Sequence, residues 1–113
     1  MPSSSIGTPL AIETGAIGHN VCIVSACATG THNIGEGAEA IRRGDCIAVI
    51  SGSAESPLLE VGHAGFSNMR GMGLPRPGEP YQTVSRPFDL TRNGFILGEG
   101  AASLFLEDLE FAK

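Results

Sequence analysis

Residues 21–55, VCIVSACATGTHNIGEGAEAIRRGDCIAVISGSAE, decide how this chain folds. The first five, 21–25, are strand-formers and read as a short, largely buried strand. From Cys27 to Arg43 the spacing predicts a helix, with Cys27, Thr31, Ile34, Ala38 and Ile41 three or four residues apart on one face. Glu36 and Glu39 precede Arg42 and Arg43, so the positive charges fall in the last turn, where the helix dipole favours them. Gly44 fits the position just after the helix end. Residues 46–53, CIAVISGS, read as a second buried strand. Strand, helix and strand at this spacing predict a βαβ unit with a right-handed crossover, and so an α/β fold.

The flanks are less regular. Residues 3–14 suit a helix capped by Ser3 to Ser5, with Pro9 tolerated only in its first turns. Residues 15–20, GAIGHN, read as a turn. After the second strand, a helix is expected from Pro57 to about His63. Residues 74–89 hold four prolines and read as a surface loop. An Asn-Gly turn at 93–94 leads toward a strand over 101–106, and EDLEFAK at the C-terminal end looks like the start of another helix.

Composition sets the outer bounds. The chain has 113 residues, room for one domain, and its 42% hydrophobic content is well above that of a disordered chain. A net charge of −5 without a basic stripe speaks against nucleic acid as a partner. No stretch approaches a membrane span, and the N-terminus does not read as a signal peptide. Three cysteines, an odd number without dense spacing, fit a reducing cytoplasmic setting better than a disulfide framework.

Cys27 is the sharpest chemical candidate. At a helix N-terminus, free backbone N–H groups and their partial positive charge favour thiolate over thiol. The same donors can hold an oxyanion on an acyl group attached to sulfur, and Ala26, Ala28 and Gly30 leave room for a carbonyl to approach. Composition alone favours the plainer alternative, a small buried hydrophobe. Cys22 and Cys46 lie among valines and isoleucines and read as core. A metal site from Cys22, Cys27 and His32 has the wrong pattern for zinc, so no metal is expected. His19 falls in a turn, His32 lies five residues beyond the thiol, and the spacing of His63 demands no role, so no Cys–His dyad is supported. Glu55 is either a functional carboxylate or one that fixes a turn. The glycines of GEGAA, 98–102, miss the dinucleotide-binding pattern.

Four motifs together resemble the beta-ketoacyl-acyl carrier protein synthases of the type II, elongating class. They are VSACATGTHNIGEGAEAIRRGD, SGSAE, GFSNMR and SRPFDLTRNGFILGEGAASLFLED, in the family's order and spacing. The resemblance covers almost the whole chain and implies a partial thiolase-like fold, an internal fragment with residues 1–113 forming part of the N-terminal domain. It implies that Cys27 is the acyl-accepting nucleophile, with its backbone N–H as one oxyanion donor. Phe66 matches a position near the acyl-chain pocket, and Arg70 an arginine nearby. The implied reaction condenses an acyl group on Cys27 with a malonyl group, both delivered on the phosphopantetheine of acyl carrier protein, with no bound cofactor. Acyl carrier protein is the implied partner, and the full-length family is homodimeric.

The same resemblance marks what is missing. The family's two catalytic histidines and an accompanying lysine lie beyond Lys113, and none of His19, His32 or His63 stands at those positions. SGSAE replaces the commoner GGAE, a minor departure. The isolated chain is therefore expected to be catalytically inactive and of low stability. A polyketide-type ketosynthase shares the cysteine, although GTHNIG looks more like the fatty-acid branch. A noncatalytic truncated chain or subunit is a further reading; a glutamine at position 27 would favour the subunit, and the cysteine speaks against it. A cysteine hydrolase lacks a placed partner for the thiol.

Overall fold

The computed structural model describes residues 5–113. The elements are helix α1 (Gly7–Thr14), helix α2 (Thr29–Arg42), strand β1 (Ala48–Glu55), helix α3 (Glu60–Asn68) and strand β2 (Gly100–Glu107). Short 3-10 turns occupy Ala26–Ala28 and Tyr81–Thr83. The chain divides into two compact units, one running to Ala54 and resuming over Ala101–Lys113, the other comprising Glu55–Gly100.

In the first unit, β1 and β2 form a two-stranded sheet. The Asp108 N–H donates to the Ile47 carbonyl at 2.9 Å, while Gly52 backs onto Ala102 and Ser103. Pairing that runs in opposite directions along the two strands makes the sheet antiparallel. Helix α2 lies on one face of it. A methyl group added at Gly37 would come 3.2 Å from Val49 Cγ1 and 3.3 Å from Leu106 Cδ1. One added at Gly30 would meet Ser53 Oγ at 2.7 Å, and Asn33 Nδ2 donates to the Gly52 carbonyl at 3.0 Å. The small residues of α2 thus bring its backbone close to the sheet. The face turned inward runs Gly30, Asn33, Gly37, with Ile34, Ala38 and Ile41 half-buried beside it. Cys27 and Thr31, read as sharing one face with Ile34, Ala38 and Ile41, are exposed.

The end of α2 follows the expected chemistry. Gly44 takes φ 77°, its N–H bonds to the Ile41 carbonyl, and the Asp45 N–H bonds to that of Ala40, which closes a Schellman motif. Arg43 pairs with Glu36 at 3.0 Å and with Asp45 at 2.9 Å. The hydrogen bond that its guanidinium donates to Asp45, then that to Glu36, raises its pKa further.

Several sequence expectations need correction. Residues 21–25 form no strand, and Val21, Cys22 and Val24 are exposed. Strand-forming side chains do not make a strand without a neighbour for the backbone N–H and C=O groups. The partner of β1 is β2, which follows it and runs antiparallel, so no parallel crossover is completed among the described residues. Cys46, read as core, is half-buried. Within α2 only Gly37 is buried. Helix α1 begins after Ile6 without a side-chain cap, so Ser5 does not cap it; Ser3 and Ser4 lie outside the described residues. Helix α3 starts at Glu60 rather than Pro57, because Pro57–Leu59 close a tight turn in which the Leu59 N–H reaches the Pro57 carbonyl at 2.7 Å. Asp108 accepts the N–H groups of Glu110 and Phe111, but only a turn follows.

In the second unit, α3 is followed by a close pairing of residues 71–73 with 94–95. The Gly73 N–H donates to the Phe95 carbonyl at 2.8 Å and the Phe95 N–H to that of Gly71 at 2.7 Å. A side chain at Gly94 would collide with the backbone of Met72 and Gly73, so only glycine fits there. The proline-rich loop is internally tied. Arg86 pairs with Glu79 and bonds Thr91 Oγ1 at 3.2 Å, and Arg76 reaches the Thr91 carbonyl at 3.1 Å. Asp89 accepts both the N–H and the hydroxyl of Thr91 at 2.6 Å, which holds its carboxyl below the ordinary range. Val84 is buried within this loop. Glu99, rather than Glu55, fixes the turn after β1, accepting from Ser56 Oγ at 2.7 Å and the Leu58 N–H at 3.4 Å.

Candidate active site around Cys27

Cys27 sits in the Ala26–Ala28 turn, directly before the first residue of α2, and its side chain is exposed. The chain reaches it through Ala26, whose φ of 50° is left-handed. For a residue with a Cβ this conformation costs about 1–2 kcal/mol, and it persists where neighbouring contacts over-determine the backbone. Those contacts are present. The Ser25 N–H donates to Thr29 Oγ1 at 2.9 Å, its carbonyl accepts from the Ala28 N–H at 3.1 Å, and its hydroxyl meets His32 Nδ1 at 2.6 Å. The Thr29 N–H closes the turn on the Ala26 carbonyl.

The thiol is therefore presented on a tight bend that opens a helix, as the sequence predicted, but the bend is a separate 3-10 turn and not the helix's own first residue. His32 lies one helical turn beyond Thr29, and its ring reaches back to the residue two before the thiol. Spacing on the helix alone did not reveal this, because Ser25 lies across a chain reversal. His19 is exposed on the irregular segment after α1, and His63 is exposed on α3. Among the described residues, no group of three or more His, Cys, Asp or Glu is placed to hold a metal.

Phe66 and Arg70 belong to the other unit. Phe66 is half-buried on α3, and its ring meets that of Phe95 edge-on, with centroids 5.9 Å apart and planes at 62°. Phe95 was not picked out in the sequence, since 29 residues separate the two rings. Arg70 follows α3 with φ 58°, at the position that usually takes glycine: its N–H bonds to the Ser67 carbonyl, and the Gly71 N–H to that of Phe66. It lines an open cleft of about 340 Å³ with Ser67, Met72 and Leu74.

An exposed thiol on a constrained bend, opening a glycine-faced helix laid on a sheet, is the arrangement that this α/β chain presents. The chain belongs to the beta-ketoacyl synthase family: residues 2–112 match the family model described as the beta-ketoacyl synthase N-terminal domain. It is 42% identical over 104 residues to 3-oxoacyl-[acyl-carrier-protein] synthase 2 of Staphylococcus aureus, spanning 92% of this chain and 25% of that protein. The protein of the same name from Vibrio cholerae is 44% identical over 104 residues, again 92% of this chain and 25% of the relative. Among solved structures, it resembles a type II PKS ketosynthase in complex with its acyl-carrier protein, with TM-score 0.90 and 33% identity over 96% of this chain and 26% of the other. A beta-ketoacyl synthase from Burkholderia phymatum gives TM-score 0.70 and 29% identity over 99% of this chain and 33% of the other. The chain thus spans about a quarter of the length of the curated relatives it matches. Its fold is α/β and partially thiolase-like, as the motifs implied. No helix among the described residues is long and apolar enough to cross a membrane.

Proposed function

We propose that this chain carries the nucleophile half of a beta-ketoacyl-acyl carrier protein synthase site, with Cys27 accepting the acyl group. Residues 1–113 are read as one partial N-terminal domain, acting in the cytoplasm with acyl carrier protein as its partner and, in the complete enzyme, as a homodimer. The single observation that carries this reading is the exposed Cys27 thiol on the left-handed bend at Ala26, in the family's own motif.

The chemistry divides into two stages. In the first, the Cys27 thiolate attacks the carbonyl carbon of an acyl thioester on phosphopantetheine. A new carbon–sulfur bond forms, the old one breaks, and the carrier sulfur leaves as a thiolate that takes from solvent the proton Cys27 released on ionising. In the second, a malonyl thioester loses carbon dioxide, and the carbanion left behind attacks the Cys27 thioester. A carbon–carbon bond forms as the Cys27 carbon–sulfur bond breaks, extending the chain by two carbons. Phe66 is proposed to lie beside the acyl chain, paired with Phe95, and Arg70 to bind substrate near it. The second stage calls on the family's histidines, for which this chain has no matching residues, so the chain is proposed to accept acyl groups without completing the condensation.

The test is to incubate the purified chain with acyl- and malonyl-acyl carrier protein and follow products by mass spectrometry. The expected outcome is an acyl adduct on Cys27, absent in Cys27→Ala, and no condensation product. An adduct confined to Cys22 or Cys46 would refute the assignment of the nucleophile. Turnover that disappears in Cys27→Ala would refute the proposed division of labour. The polyketide reading is favoured by the TM-score of 0.90 to a type II PKS ketosynthase. The 42% and 44% identities support 3-oxoacyl chain elongation instead.

A further inference from the structure

We propose that His32 is a positioning residue for Cys27, acting through the hydroxyl of Ser25; this rests on the reading of Cys27 as the nucleophile. All three polar groups of Ser25 are engaged by residues that follow it in the chain. Two of these contacts, the carbonyl with the Ala28 N–H and the N–H with Thr29 Oγ1, stay within the bend and the first residue of α2. The third, Ser25 Oγ to His32 Nδ1 at 2.6 Å, reaches one turn further and ties the bend to the body of the helix. Between the anchored Ser25 and the thiol lies only Ala26, held at φ 50°. With both sides fixed, the reversal at Ala26 is imposed, and the direction of the Cys27 side chain with it.

The contact does not require one particular proton arrangement. When Nδ1 is bare, the serine hydroxyl donates to it; when Nδ1 carries the proton, the hydroxyl oxygen accepts. His32 is thus a strut, and its work is done by Nδ1. That makes the proposal sharp: asparagine, whose amide places a polar atom near the position of Nδ1, is expected to replace it, whereas alanine is not.

The experiment uses the 113-residue chain and iodoacetamide. Alkylation rates at Cys27 are read by peptide mass and divided by those at Cys22, an exposed thiol in the same molecule. For the loss of one hydrogen bond, the Cys27 to Cys22 ratio is expected to fall about two- to tenfold in His32→Ala and in Ser25→Ala. The double variant should fall no further, and His32→Asn should recover most of the loss. Should His32→Ala lose helical circular dichroism, Ser25→Ala, which removes one oxygen atom, carries the test alone. A ratio unchanged in Ser25→Ala, additive losses in the double variant, or failure of His32→Asn to recover overturns the proposal. Acylation of the wild-type chain by a hexanoyl thioester of N-acetylcysteamine separates the two readings. No acyl group on Cys27 while the ratio still responds defeats the nucleophile and keeps the strut. Acylated Cys27 with an unresponsive ratio does the reverse.

Discussion

Arg70 occupies a backbone position that glycine would hold at lower cost. Its φ of 58° closes the end of α3, with the 5→2 and 6→1 hydrogen bonds of a Schellman motif around it. Arg70→Gly is therefore expected to stabilise the second unit by about 1 kcal/mol, since a left-handed residue with a Cβ costs about that much. The measurement is the urea midpoint, at unchanged slope. If the substitution destabilises the chain, the side chain itself contributes to packing and the backbone argument fails. The candidate residues Cys27, Phe66 and Arg70 were legible as motif positions. What holds them was not. The Ser25–His32 contact crosses a chain reversal, and the Phe66–Phe95 pair depends on the close backbone approach at Gly94.

At the scale of elements, α2 shows how the same residue type serves opposite ends. Gly35 and Gly37 lie two residues apart on one helix. A Cβ at Gly35 meets nothing within 4 Å, whereas one at Gly37 presses on Val49, Leu106 and Ser51. Gly35→Ala is expected to raise stability by about 0.5–1 kcal/mol, through helix propensity alone. Gly37→Leu is expected to lower it by about 1–3 kcal/mol, because the helix must lift from the sheet or the sheet must shift. Thermal or urea unfolding of the two variants checks both signs; equal effects would mean that α2 is not seated on β1 and β2 through Gly37. Helix α2 and strand β2 were readable because their signals are local: a 3.6-residue period, charges in the last turn, a glycine to end it, and a run of strand-formers; the turn read at Asn93-Gly94 is instead a bend held in the close pairing with residues 71–73. Residues 21–25 carried an equally good local signal and formed no strand. Ladder hydrogen bonds come from a neighbour, and five apolar residues in sequence say nothing of whether one is present.

For the molecule as a whole, the decisive quantity is how much apolar surface the described residues bury. Val84, 6% exposed, is the one buried hydrophobic side chain among them, while Val24 is 74% exposed, Phe105 62% and Leu104 50%. A two-stranded sheet gains independent stability only by packing against something, and here α2 covers one face of β1 and β2, largely through glycine. Burying a large apolar side chain is worth about 1.5–3 kcal/mol, and ordering each residue's backbone costs about 1–2 kcal/mol. With so few side chains wholly buried, the balance for this chain lies close to zero. The curated relatives have chains about four times as long. The purified 113-residue chain is accordingly expected to bind the dye ANS at neutral pH and to lose its circular dichroism over a broad thermal transition. A sharp transition above about 50 °C without ANS binding, in the range of ordinary mesophilic domains, would show that the exposed apolar residues find partners within the chain. That outcome would also remove the physical ground for expecting this chain to be weakly folded.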